Sequence, residues 1–153
     1  FWLPSRRPAH QNLAMKISPG LEPFKVSTLI NGFCRPTSKA NAWVADLNDK
    51  DPSVKLAWTE PKQIKRIVLF FDSDFDHPLE STLRVHPERV VPHTVNDYRI
   101  MDADGNLIYE KSGNYQTINE ICLENTLITS AVIIHLKHPS SDVPAALFEV
   151  QVF

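Results

Sequence analysis

Eight residues near the middle of the chain, Ile64-Lys65-Arg66-Ile67-Val68-Leu69-Phe70-Phe71, leave little choice of backbone conformation. β-Branched and aromatic side chains fit a pleated, half-buried surface better than a helix. The run becomes continuously apolar at its end, as expected of a central strand covered on both faces. Just upstream, Val54-Lys55-Leu56-Ala57-Trp58 alternates with a period of two, and Glu60-Pro61-Lys62 separates the two runs. The same signals predict strands over 95–101, 106–110, 117–123, 131–136 and 146–152. Asp102-Ala103-Asp104-Gly105 supplies a hairpin turn between the first two of these. Leu13-Ala14-Met15-Lys16-Ile17 is a further short strand candidate, and Phe24 to Ile30 suits either a strand or a helical turn. About eight short strands without a βαβ rhythm predict an all-β fold, an antiparallel β-sandwich or jelly roll.

The composition agrees. The chain has 153 residues, 42% of them hydrophobic and 22% charged, which is ordinary for one globular domain. At this size about two-thirds of the surface is buried on folding, so no disulfide or metal is needed to support the core. Proline is frequent (12) and glycine scarce (4), which suits strands joined by stiff loops. It does not suit glycine-rich phosphate loops, and neither GxGxxG nor GxxxxGK[ST] occurs. With a net charge of −2 and no long basic run, nucleic acid and anionic membrane have no electrostatic support as partners. No apolar run approaches the 18 residues that a membrane span requires. Residues 1–13, with Pro4, Pro8 and Arg6-Arg7, read as a linker or N-terminal arm, and 14–153 as one domain. The abrupt start at Phe1 suggests a piece of a longer protein.

Antiparallel connectivity orders the loops. If the chain reverses at 59–63, the long loops 31–53 and 72–94 and the turn 111–116 gather at one end, while only short turns lie at the other. Long loops in compact domains are often functional. The loop end is therefore the candidate site, with Trp43 or Tyr115 as a flat apolar platform and Arg35, Asp72, Asp74 and Arg89 as hydrogen-bonding groups. An aromatic face together with charged and amide groups suits a sugar, although a tryptophan such as Trp43 is more often core than platform and the charges suit a solvated rim.

No motif states a catalytic mechanism. Asp72-Ser73-Asp74-Phe75-Asp76-His77 begins like an EF-hand, but His77 replaces the glycine at position 6 and Leu83 the glutamate at position 12. Its three carboxylates suit Ca²⁺ in another geometry or an Asx-capped strand end. There is no HExxH and no GxSxG, and no catalytic residue is assigned. Cys34 and Cys122 show no metal-site spacing, and their disulfide state is open.

The order of several segments resembles the discoidin, or coagulation-factor type C, group of galactose-binding-like domains. They are Ile30-Asn31-Gly32-Phe33, Asn41-Ala42-Trp43-Val44-Ala45-Asp46, Val54 to Trp58 with Pro61, Ile64 and Ile67, and Ala145 to Phe153. The likeness runs from about Lys16 to Phe153. It implies a non-catalytic accessory β-sandwich that binds carbohydrate. It also implies one structural Ca²⁺, with Asn31 and Glu149 at the matching positions and Asn31 in place of the usual aspartate. Asn31 to Pro36, Asn41 to Asp46, Phe71 to Pro78 and Gly113 to Gln116 further resemble the C-terminal region of bacterial FAD-dependent oxidoreductases. That likeness implies FAD only in a part of a parent protein outside this chain, and no cofactor here beyond Ca²⁺. The partners implied are a glycan or, alternatively, the parent's catalytic domain, on which a structural domain of this kind would dock. A periplasmic or extracellular location goes with the first of these.

Overall fold

The computed structural model describes residues 18, 24–36, 41–72 and 93–153. The arm 1–13, the strand candidate 13–17, and Asp74 and Arg89 lie outside the described residues. Six strands follow in chain order: β1 (Trp43–Val44), β2 (Ser53–Phe71), β3 (Tyr98–Asp102), β4 (Leu107–Lys111), β5 (Ile118–Leu136) and β6 (Ala146–Val152). A short 3-10 turn, Val26–Ile30, precedes them, so the ambiguous stretch before Asn31 is helical. The strands pair antiparallel in the order β1-β6-β2-β5-β3-β4. Among the described residues no helix is long and apolar enough to cross a membrane.

Two strands are much longer than the sequence suggests. β2 runs for 19 residues straight through Pro61, and β5 joins the separately expected strands 117–123 and 131–136 into another 19. The ladder accommodates this with compensating bulges. Ala57 faces Ala131 and Lys62 faces Thr129, five residues of β2 against two of β5; Ile64 then faces Leu127 and Arg66 faces Cys122, two against five. Pro61 falls where the register shifts, so its missing N–H removes no ladder bond.

The predicted reversal at 59–63 is nevertheless real. A straight 19-residue strand would separate its ends by about 60 Å. Yet the Phe71 ring, at the end of β2, lies 5.2 Å from that of Tyr98. Tyr98 pairs with Leu136, whose N–H reaches Pro52 O, just before β2 begins, at 2.9 Å. The β2–β5 ladder therefore doubles back at its bulges. The first half of β2 and the second half of β5 form one layer with β3 and β4; the remaining halves form the other with β6 and β1. The result is a two-layer antiparallel sandwich, as the sequence predicts.

The core lies between the layers. Val54, Ile67, Leu69 and Phe71 from β2 meet Ile121, Val132, Ile134 and Leu136 from β5, with Tyr98, Ile100, Leu147 and Val150. β1 hides in what reads as a polar loop, since two residues carry no periodicity. It is recruited by β6, with Trp43 opposite Leu147 and Val44 opposite Ala146.

Candidate functional site at the loop end

Backbone contacts trace the loop end step by step. Lys137 N–H reaches Asp97 O (3.0 Å), Asn114 N–H reaches Asn96 O (2.7 Å), and the Thr94 hydroxyl reaches Asp72 O (2.9 Å). The ends of the three loops that sequence reasoning grouped are therefore adjacent. A fourth loop, 137–145, joins them. The signal for it was available: it leaves β5 at the same end, and continuing the strand count past 123 places it there. His138 fastens it across the end, with Nδ1 accepting from Ala145 N–H (2.9 Å) and Nε2 2.7 Å from Asp49 O.

Between these loops opens a cleft of about 370 Å³. Its walls are mainly apolar, including Pro36, Val44, Pro144 and Phe148, and Asn41, Asp72 and His93 supply polar groups. Of the residues singled out from sequence, Asp72 lines this cleft. Arg35 is exposed on the loop beside Pro36. Trp43 is half-buried against the core cluster, the alternative that its sequence context left open. Tyr115 stands on the adjoining turn with 68% of its surface exposed. A smaller recess of about 80 Å³ lies on the β3–β5 face. Several of its polar groups are paired: Asp51 with Arg99 (3.3 Å) and His135 (3.1 Å), and Asp97 with Lys137 (3.4 Å).

Asn31 and Glu149 are brought together across 117 residues of sequence by the contact between Glu149 Oε1 and Gly32 N–H, 3.0 Å. Alternation in β6 turns Glu149 away from the core-facing Val150, and a register shift just before it, where Phe70 faces Glu149 and Phe71 faces Leu147, lets Leu147 face the core as well. There the loop after the 3-10 turn covers it, and only 3% of it is exposed. Gly32 adopts φ +85°, a conformation that side-chain-bearing residues rarely take, and this presents its N–H to the carboxylate. Asn31 Oδ1 accepts from Phe33 N–H (2.9 Å), and Asn31 Nδ2 donates to Asn41 Oδ1. Glu149 Oε2 is buried without a hydrogen-bond partner. Burial pushes the Glu149 carboxyl above the usual range, opposed mainly by the Gly32 N–H. Among the described residues no three His, Cys, Asp or Glu side chains converge on a metal-sized site. The oxygen left without a donor here is Glu149 Oε2, while the Asn31 and Asn41 side-chain oxygens each already accept a hydrogen bond. A carboxylate oxygen of this kind suits a hard cation such as Ca²⁺, though with a single formal charge.

Among the described residues the other ionisable groups with displaced titration, Cys34 included, do not line the cleft. Asp102 is lowered by its bonds to Asn106, Asp104 and Gly105 in the far turn, and Asp97 mainly by Gly113 N–H. Burial raises the Tyr98 hydroxyl in the core. Cys34 and Cys122 are free thiols.

No family model and no curated protein matches the sequence. Solved structures do match. A family 32 carbohydrate-binding module from Streptococcus pneumoniae EndoD superposes with a TM-score of 0.62 at 15% identity, over 90% of both chains. The fold is discoidin-like. A second neighbour is chitosan-binding module 2 of a Paenibacillus sp. IK-5 chitosanase/glucanase, solved with chitotriose. Its TM-score is 0.62 at 11% identity, over 87% of this chain and 88% of that one. A third is the family 32 module of Clostridium perfringens NanJ, solved with galactose, at TM-score 0.56 and 14% identity over 82% of both chains. At these identities the likeness establishes the shared architecture.

Proposed function

We propose that this discoidin-like domain is a non-catalytic glycan-binding module that makes its contacts at the loop end. The observation that carries the reading is the cleft of about 370 Å³ at the meeting point of the loops. Pockets of roughly 300–1,000 Å³ with apolar walls and a few polar groups hold small ligands. Asn41, Asp72 and His93 would hydrogen-bond sugar hydroxyls, and Tyr115 would offer a ring to the C–H face. Neighbours solved with galactose and chitotriose support the same reading. A few such bonds, set against the ordering costs, give affinities of about millimolar to tens of micromolar. NMR titration with galactose and chitotriose at tens of millimolar is the test. Resonances of Asn41, Asp72, His93 and Tyr115 should move while the 102–106 turn stays still; silence at the loop end overturns the reading.

The same reading includes one stabilising Ca²⁺ held by Glu149, Asn31 and neighbouring carbonyls. Its support is the partnerless, buried Glu149 Oε2. The cation would neutralise that carboxylate and tie the 31–41 loop to β6.

A second reading has its own support. Phe24, Val26, Ile30 and Phe33 are all about half exposed or more, within ten residues. An apolar patch of this kind suits docking against another domain. With the sequence resemblance to FAD-dependent oxidoreductases, that domain would be the parent's flavin-binding catalytic part. Binding of the isolated catalytic domain, abolished by Ile30→Asp and untouched by sugars, would favour docking over glycan recognition.

A further inference from the structure

The Tyr115 turn is held by a buried polar network with no loose ends. Asn114 is 1% exposed and Asn119, at the start of β5, is 7% exposed. Asn114 Nδ2 donates to Val95 O (2.8 Å) and Gln116 O (3.0 Å), and its Oδ1 accepts from Gln116 N–H (3.1 Å) and Asn119 Nδ2 (3.1 Å). Asn119 Nδ2 also donates to Gln116 O (3.0 Å), and its Oδ1 accepts from the Tyr98 hydroxyl (2.9 Å). Asn114 N–H is taken by Asn96 O, and Thr117 O by Phe71 N–H. The residues around Tyr115 are thus pinned to three separate stretches of chain, while its own side chain is exposed to solvent.

Buried amides are costly unless satisfied, and a satisfied network rigidifies what it holds. A surface turn needs no such anchoring merely to connect β4 to β5. Rigid aromatic groups bind with little loss of entropy, because only two side-chain torsions remain to be fixed. We infer that Tyr98, Asn114 and Asn119 are positioning residues that hold Tyr115 as a preformed aromatic platform for the C–H face of a sugar. The inference rests on the glycan reading above and adds to it a means of affinity: a ring carried on a fixed backbone leaves only its two side-chain torsions to be ordered by the sugar.

The experiment uses the full chain, with galactose and chitotriose as probes. Amide ¹⁵N relaxation of Tyr115 and Gln116 is measured without sugar, followed by titration of the wild type, Tyr115→Ala and Tyr98→Phe. The last variant removes one hydroxyl and leaves the core volume nearly intact. In the wild type the turn should be as ordered as the strands, with order parameters of about 0.85. Tyr115→Ala should weaken sugar binding about tenfold without loosening Gln116. Tyr98→Phe should lower the order of both amides and weaken binding about three- to tenfold, with Tyr115 still present. A turn already mobile in the wild type overturns the inference. So does a Tyr98→Phe variant that loses thermal stability but keeps both loop order and affinity, since its hydroxyl is then merely structural. A turn that loosens in Tyr98→Phe while no sugar moves Tyr115 in the wild type overturns the glycan reading and leaves the anchoring standing.

Discussion

Asp102 and Glu149 are both buried carboxylates, 8% and 3% exposed, and they are treated in opposite ways. Asp102 closes the β3–β4 turn. Its Oδ1 accepts from Asp104 N–H (2.9 Å) and Asn106 N–H (2.8 Å), and its Oδ2 from the Asn106 amide (2.9 Å). Its titration is lowered. Glu149 has Gly32 on one oxygen and no hydrogen-bond partner on the other, and its titration is raised. Burial alone therefore says little about a carboxylate's role. The number of donors aimed at it separates a fastening built into a turn from a group that a cation would complete.

The largest expected effect falls on the fastening. Asp102→Ala should cost about 1–3 kcal/mol in urea denaturation, since the charge-assisted bonds that close the turn are lost. A cost under about 0.5 kcal/mol would erase the contrast. Next comes Glu149→Gln. Without divalent ions it should match or exceed the wild type in stability at neutral pH, because an under-satisfied charge is removed. Millimolar Ca²⁺ should raise the wild-type Tm above its value in EDTA and leave that of Glu149→Gln unmoved; a concentration of 100 Kd is worth about 2.7 kcal/mol. Equal Tm values for the wild type with and without Ca²⁺ would remove the cation from the account.

The pH dependence should then divide the pair. A lowered carboxyl stabilises the fold above its unfolded pKa, and that contribution is lost as pH falls through its folded value. A raised carboxyl does the reverse: its contribution is full below the unfolded pKa and disappears as pH rises through the folded value. In metal-free buffer, acidification from neutral pH should therefore diminish any advantage of Glu149→Gln over the wild type. It should diminish the advantage of the wild type over Asp102→Ala only at lower pH. Parallel stability curves for wild type and Glu149→Gln would contradict the raised titration. The smallest effect is Asn31→Asp, which should tighten Ca²⁺ about tenfold by exchanging a neutral ligand for a charged one. Calorimetric titration reads this directly.

Much of this was legible in the residues. The β-branched run before Asp72 and the alternation before Thr59 marked the two halves of β2, and Pro61 correctly marked where the chain doubles back. The persistence of pairing through that fold was not legible, because bulges depend on what the partner strand does opposite them. β1 was missed because its pairing comes from β6 and its two residues have no pattern of their own. The gathering of loops followed from connectivity alone. The contact between Gly32 and Glu149 joins residues far apart in sequence, and no local signal announces it. Likewise Asn114 and Asn119 look like ordinary turn residues until the Tyr98 hydroxyl is found between β3 and β5.

The doubled-back ladder has a kinetic consequence. Residues 53–71 pair with 118–136, so the long hairpin at the heart of both layers closes only after a large intervening segment is in place. Contacts so distant in sequence make folding slow for a chain of this size. Because each layer borrows half of the same two strands, neither can separate without disrupting the β2–β5 ladder. Hydrogen exchange should find the amides of Ile67, Leu69, Ile121, Val132 and Ile134 opening together, with one free energy equal to that of global unfolding.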